Sequence, residues 1–303
     1  MYQDFSFREV LATSHRAEWQ IDDVLPQGAT LDFARNFMPE SLARTRQATC
    51  LTPDEQRILN QIRGHEYLTI FGLVEEFILP FVLDQTRPAL NADDYQVRAL
   101  LQFAGEEAKH IHLFKRFQQV FADGFGYRCE VIGPPEAIAA EVLRHDPLSV
   151  ALLILQIEWM TQAHYLESVR DDLGLDPLFK SLLKHHWIEE SQHAKLDTLI
   201  VEDLARGRDE AGIASAVDGY LEIGGFLDGG LKAQVDLNLA ALEGATGRVL
   251  PADDRASLLE RQHQAIRWTY IGSGMVHPKF AATLAAISPA AGERIAAIAP
   301  TFC

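Results

Sequence analysis

The chain has 303 residues, 48% of them hydrophobic, which is enough for one large core or two modest domains. Its formal charge of −16 argues against nucleic acid or an anionic membrane as a partner. The three cysteines, Cys50, Cys129 and Cys303, are far apart and form no C-x-x-C, so a reducing cytoplasm is expected, without disulfides or a thiolate metal site.

Met1-Tyr2-Gln3-Asp4-Phe5 has no basic stretch leading into an apolar core, so no signal peptide is expected. Residues 1–51 read as an arm packed on the rest, with Phe33, Phe37, Met38 and Leu42 forming a short amphipathic turn around Pro39. Thr52-Pro53-Asp54-Glu55 is a helix start with a capping box and Pro at the first helical position. This helix should pass Glu76, with Pro80 kinking it or freeing a carbonyl near Glu76. Asn91-Ala92-Asp93-Asp94 opens a second helix, expected to stop before Asp123-Gly124 and Gly126. After the Gly133-Pro134-Pro135 turn comes a short helix to Arg144, and then Asp146-Pro147 and Asp176-Pro177 start two more long ones.

A helical stretch over about 210–243 carries Gly224-Gly225 and Gly229-Gly230, which follow no strand and read as helix irregularity or close packing. Another helix follows Pro251 and ends near Gly272, and short ones open at Pro278 and Pro289. Almost nothing alternates with period two, so the chain is expected to be all-α. The reading is one domain over 1–303: an arm over 1–51, a four-helix core over 52–206 and accessory helices over 207–303. The most apolar runs are broken by Glu75, Glu76, Gln156 and Glu158 well before the ~20 residues that span a bilayer, so a soluble protein without membrane contact is expected.

Those interrupting carboxylates carry the chemistry. His186, Glu190 and His193 are spaced i, i+4, i+7 on a run without Gly or Pro, so they share one face beside Leu182, Leu183 and Leu196. Burying such groups without partners costs several kcal/mol per charge, which a divalent metal would offset. Glu190-x-x-His193 is the i, i+3 pair by which helical bundles hold di-iron or di-manganese centres, and Glu107-x-x-His110 is a second. Each pair follows a helix bearing a Glu in an apolar run. Glu76 precedes Glu107 by 31 residues, and Glu158 precedes Glu190 by 32. Glu76 is preferred over Glu75 because an aromatic then follows each of these glutamates, Phe77 after Glu76 and Trp159 after Glu158.

The expected ligands are thus Glu76, Glu107, His110, Glu158, His186, Glu190 and His193. By position Glu107 and Glu190 would bridge, Glu76 and Glu158 would bind terminally, His110 and His193 would take one ion each, and His186 would add a third imidazole. Glu106 and Glu189 face about 100° away and suit hydrogen bonds to ligands or contact with solvent. His185 reads as exposed. His164 and Tyr165 read as pocket or core, and His65 and Glu66 make a weaker claim of the same kind. Carboxylate and imidazole without thiolate fit two Fe ions, with Mn2 or Mn/Fe also open. Such a pair would use O2, a small organic substrate and an unidentified electron donor, and a homodimer is the expected assembly.

The Glu…Glu-x-x-His…Glu…Glu-x-x-His order resembles the ferritin-like di-iron carboxylate proteins over about residues 53–205. Within them, His186-x-x-x-Glu190-x-x-His193 is similar to the p-aminobenzoate N-oxygenase family, which has an extra His four residues before the last bridging Glu. That family often has Asp where this chain has Glu106 and Glu189. The resemblance implies a ferritin-like four-helix bundle with additional helices, and O2-dependent oxidation of an amine to hydroxylamine, nitroso or nitro products. The alternatives are a ferroxidase or metal-binding protein, or a manganese catalase-like protein, without an organic substrate. A ribonucleotide reductase small subunit fits poorly, because Ile111, His112, Leu113 and Phe114 follow His110 where a radical Tyr is needed.

Overall fold

Aspartate, serine and proline set the starts of the long helices. The computed structural model describes residues 5–91 and 93–303, so Met1–Asp4 and Ala92, which entered the reading of the amino terminus and of the second helix, lie outside the described residues. Helix α1 (Phe7–Ala17) is capped by Ser6, whose hydroxyl accepts from Glu9 N. Helix α2 (Pro53–Ala89) opens on the expected capping box: Glu55 N donates to Thr52 Oγ1, and Thr52 N donates to Glu55 Oε2. Helix α3 (Asp94–Phe125) is capped by Asp93. After α4 (Pro135–Leu143), Asp146 caps α5 (Pro147–Ala163) and Asp176 caps α6 (Pro177–Ala205). The remaining long helices are α7 (Glu210–Thr246), α8 (Ala252–Arg267), α9 (Pro278–Ile287) and α10 (Pro289–Ile298).

The protein is an all-α bundle. Among the described residues the extended pairing is limited to an isolated bridge between Asn36 and Leu175. Helix α2 packs along α3 and α5 along α6, while α7 lies against α2 and α5, and α1 lies against α3 and α6. Residues Leu148–Gln162 of α5 are all buried, because α6, α7 and the Ser273–Met275 turn cover it on different sides. That explains why its sequence is apolar all round rather than on one stripe.

One expectation about a helix end needs correction. Helix α3 does not stop before Asp123-Gly124 but runs to Phe125, and Gly126, with φ 78°, turns the chain. Gly124 is there for packing, since a Cβ would collide with the Phe33 ring. Helix α2 continues through Pro80 and Pro88. Two π-helical turns extend other helices, His164–Val169 after α5 and Trp268–Gly272 after α8.

The arm is held on the bundle by chosen contacts. Asn60 of α2 accepts from Phe37 N and Met38 N and donates to Met38 O. Phe37 is buried and stacks on Phe179 with centroids 5.2 Å apart, over Gly64, where a Cβ would come within 2.8 Å of Phe37 Cβ. Met38 and Leu42 are buried beside it. No helix among the described residues is long and apolar enough to cross a membrane.

Candidate metal centre

The two Glu-x-x-His pairs meet in the bundle interior, one from α3 and one from α6. Glu107, His110 and His193 are fully buried, and His186 and Glu190 nearly so. Among the described residues, two overlapping sets of four each offer ligand atoms within 4.8 Å of one another: Glu75, His110, His186 and Glu190, and Glu107, His110, Glu190 and His193. His110 and Glu190 belong to both. Glu190 Oε1 lies 2.8 Å from His186 Nε2 and 3.0 Å from His110 Nδ1, and its Oε2 lies 3.2 Å from His193 Nδ1. Glu107 Oε1 lies 2.8 Å from His193 Nδ1. Glu158 on α5 belongs to neither set but faces Glu190, and burial first, then that negative neighbour, raises its carboxyl well above the usual range.

Glu76 does not reach this cluster; Glu75 does. Glu75 Oε1 lies 3.0 Å from His186 Nε2 and 3.5 Å from His110 Nδ1. Glu76 is one residue, about 100°, further round the helix and pairs with Lys115 Nζ at 2.9 Å on the surface. A partly exposed pair of this kind contributes about 0–1 kcal/mol. Glu76→Ala is therefore expected to leave metal uptake unchanged, whereas Glu75→Ala lowers affinity at least ~100-fold, by more than loss of a group supporting a ligand would. Titration of both variants with Fe(II) and Mn(II) under anaerobic conditions checks this, and equal losses would return Glu76 to the site.

The outer nitrogens of the two motif histidines are held crosswise. His110 Nε2–H donates to Glu189 Oε2 at 2.8 Å, and His193 Nε2–H donates to Glu106 Oε2 at 2.9 Å. Each carboxylate thus comes from the other motif's helix. Since carboxylates only accept, both rings carry a proton on Nε2 and turn Nδ1 inward, the nitrogen that would be left to a metal. Glu106 is held in turn by Ser14 Oγ at 2.5 Å and Gln102 Nε2 at 3.0 Å, and Glu189 by Lys109 Nζ at 2.5 Å.

The donor set fits a pair of divalent cations. Buried polar atoms without a hydrogen-bond partner are concentrated here: Glu75 Oε2, both oxygens of Glu107, His110 Nδ1, Glu158 Oε2, Glu190 Oε1 and both oxygens of Asp197. Groups that converge at ligand distances without hydrogen-bond geometry are what a cation between them would satisfy. With protein groups alone the imidazoles carry the balancing charge. Burial opposes it, but Glu189, Glu190 and Glu75 raise His110 well above its ordinary value, and His186 rises to about 8 beside Glu190 and Glu75. Burial, then Glu190 and Glu75, pushes Glu107 up to about 7.

Three contributors were not read from the sequence. Asp197 is fully buried, and burial raises it well above the usual range. It continues the stripe of His186, Glu190 and His193 by one more helical step, so extending that pattern would have found it. Trp19 and Ser14 come from the arm. Trp19 stacks on His110 with centroids 5.8 Å apart, donates from Nε1 to His185 O, and lies under Lys109 Nζ. No local signal marks either residue. His185 is half-buried rather than exposed, with Nδ1 donating to Ser181 O. His164 is buried between Tyr67 and Ser273, and Tyr165 stacks on Trp187. His65 packs on Phe121, and Glu66 pairs with Arg63.

Beside the centre lies an apolar pocket between α2, α5, α7 and the Trp268–Gly272 turn. Gly224 and Gly230 line it, and a Cβ on Gly224 would meet nothing within 4 Å. Close packing does not explain Gly224, and α7 runs through both glycine pairs without a break. Phe71 joins pocket and centre: it lines the one and meets His186 edge-on, centroids 5.4 Å apart, at the other.

No protein-family model and no curated protein matches the chain. Solved structures similar to it include a tyrosine-to-phenylalanine mutant of an R2-like ligand-binding oxidase with an aerobically reconstituted Mn/Fe cofactor. That match has 14% identity over 88% of this chain and 93% of the other, with a TM-score of 0.47. A glycine-to-leucine mutant of an R2-like ligand-binding oxidase, with an aerobically reconstituted Fe/Fe cofactor, has 15% identity over 88% and 93% and a TM-score of 0.43.

Proposed function

We propose that the chain is an O2-dependent oxidoreductase that holds two iron or manganese ions and oxidises a small organic molecule. The observation that carries this is the pair of overlapping four-residue ligand sets sharing His110 and Glu190 in a buried interior. Glu75, His110, His186 and Glu190 would hold one ion, and Glu107, Glu190 and His193 the other, with Glu158 closing the second position. When bound, such a pair supplies two-electron reduction of O2.

The protein's own part is neutralisation, orientation and exclusion of water. Glu75, Glu107, Glu158 and Glu190 match the charge of two divalent ions. Glu106 and Glu189 fix the tautomers of His193 and His110. Phe103 against His193 at 4.1 Å and Phe114 against His186 at 5.1 Å wall the site from water. Asp197 is fully buried behind the ligands, where burial raises its carboxyl well above the usual range. The adjoining pocket favours an organic substrate over simple metal oxidation. The resemblance of His186-x-x-x-Glu190-x-x-His193 to arylamine N-oxygenases makes an amine nitrogen the first position to test.

The test starts from metal-free protein loaded anaerobically with Fe(II) and mixed with O2 while the visible spectrum is recorded. A transient coloured band at about two irons per chain is expected. Absence of both the band and tight iron binding, with Mn(II) also failing to bind, overturns the proposal.

A further inference from the structure

Among the described residues, the walls of the pocket beside the centre hold no side chain that carries a charge. Its lining is Ile, Leu, Val, Phe and Gly, with Gln156 and Tyr270 as the side chains bearing polar atoms. Gln156 is spent. Gln156 Nε2 donates to Tyr270 O at 3.0 Å, and Gln156 Oε1 accepts from Tyr220 Oη. The Tyr270 hydroxyl lies toward Glu66, whose carboxylate sits with Arg63 and Asn238 behind the ring, but it is buried without a hydrogen-bond partner. Among the described residues the wall offers no charge to a carboxylate, a phosphate or an ammonium group, and the Tyr270 hydroxyl is the one side-chain polar group left over.

The space is real but narrow. Its free volume is about 60 Å³, whereas a dry engineered cavity that takes benzene has about 150 Å³. It is bounded by Ile70 and Val74 of α2, Leu153 of α5 and Leu231 of α7, with Ile132 closing it from the segment before α4. At its inner end Phe71 separates it from His186 by one ring. The few carbons of an alkyl chain that such a space takes in would lose water and gain apolar contact, the rest of the chain staying at the mouth, while a charged group would lose water and gain no counter-charge.

Given the oxidoreductase reading above, we infer that the substrate is a slender, uncharged molecule whose apolar body occupies this pocket and whose reacting atom points past Phe71 toward the metal positions. The site accordingly rejects acids of the aminobenzoate kind and protonated amines. Specificity comes from the absence of any counter-charge in the wall, and Gly224 sets the width of the chamber.

The test uses metal-free full-length protein, so that it does not depend on O2 chemistry. Binding of 1-hexanol, hexanoate and hexylamine (the last as its ammonium ion) is measured calorimetrically at pH 7, with Fe(II) uptake measured on separate samples. Hexanol is expected to bind at least tenfold more tightly than either charged analogue. Gly224→Leu should weaken hexanol at least tenfold with unchanged Fe(II) uptake and helicity. Gly225→Leu, one residue on and exposed, should leave both unchanged. Failure of hexanol to bind, equal binding of hexanoate or hexylammonium, or unchanged hexanol binding in Gly224→Leu would overturn the inference. Loss of Fe(II) uptake by the unmodified chain would instead count against the metal reading, whatever the ligands did.

Discussion

Glu190→Gln is expected to take up no metal pair. The Glu190 carboxylate touches all three imidazoles of the centre and belongs to both ligand sets, a span that among the described residues it shares only with His110. Burial would raise its pKa, but the charges of His186 and His193, with hydrogen bonds from Glu158 and His110, hold it well below the usual range. It is thus the anion on which the cluster is centred. The amide keeps the shape and removes the charge, and affinity at both positions should fall more than ~100-fold, beyond the 10–100-fold typical of losing a group that merely orients a ligand. Elemental analysis after anaerobic loading and desalting checks this, against about two ions per chain for the unmodified protein. Retention of two ions by the glutamine variant would mean that the cluster is not organised around Glu190.

Removing metal should reshape the pH dependence of stability. In the metal-free protein Glu107 titrates at about 7 and His186 at about 8, both above their ordinary values. The folded chain then keeps protons that the unfolded chain has released, so these contributions are complete below about 4.5 and about 6.5 and are lost as pH rises through about 7 and about 8. Glu106, held at about 2 although burial opposes it, by His193, Ser14 and Gln102, acts in the other direction and loses its contribution only as pH falls through that value. Metal-free protein should therefore be most stable near pH 4–5. It should lose roughly 5 °C or more in Tm by pH 8, since each pKa unit is about 1.4 kcal/mol and ~1 kcal/mol moves Tm by roughly 2–4 °C. Metal binds the deprotonated ligands, so loading should reverse the slope and add about 4 kcal/mol at a thousandfold excess over Kd. Thermal scans from pH 4 to 8 with and without Fe(II) decide the matter. A metal-free protein that gains stability toward pH 8 would contradict it.

The parts of the centre that could be read in the sequence lie within one helix each. Glu107 with His110, and His186 with Glu190 and His193, are fixed relative to each other by helix geometry alone, and those helices have no break. The choice between Glu75 and Glu76 failed because α2 is buried on most of its circumference: Phe71, Gly72, Leu73, Val74, Phe77 and Ile78 surround the pair and give no amphipathic phase. An aromatic following each glutamate was a poor substitute for that phase. The helix starts were legible because Thr52-Pro53, Asp146-Pro147 and Asp176-Pro177 cap by local chemistry. Trp19 and Ser14 were not, since their partners Lys109 and Glu106 lie about ninety residues away and only tertiary packing brings them together. Gly224 was misread because an open position beside a pocket and a close helix contact look the same in a sequence.

The crosswise grip of Glu106 on His193 and of Glu189 on His110 bears on how such a site can be assembled. Neither hairpin, α2 with α3 or α5 with α6, can set the protonation of its own imidazole; each borrows that from the other. In the present chain the same reciprocity ties selectivity to docking: the two halves become competent together, and a metal offered to either one alone meets a histidine with no fixed tautomer.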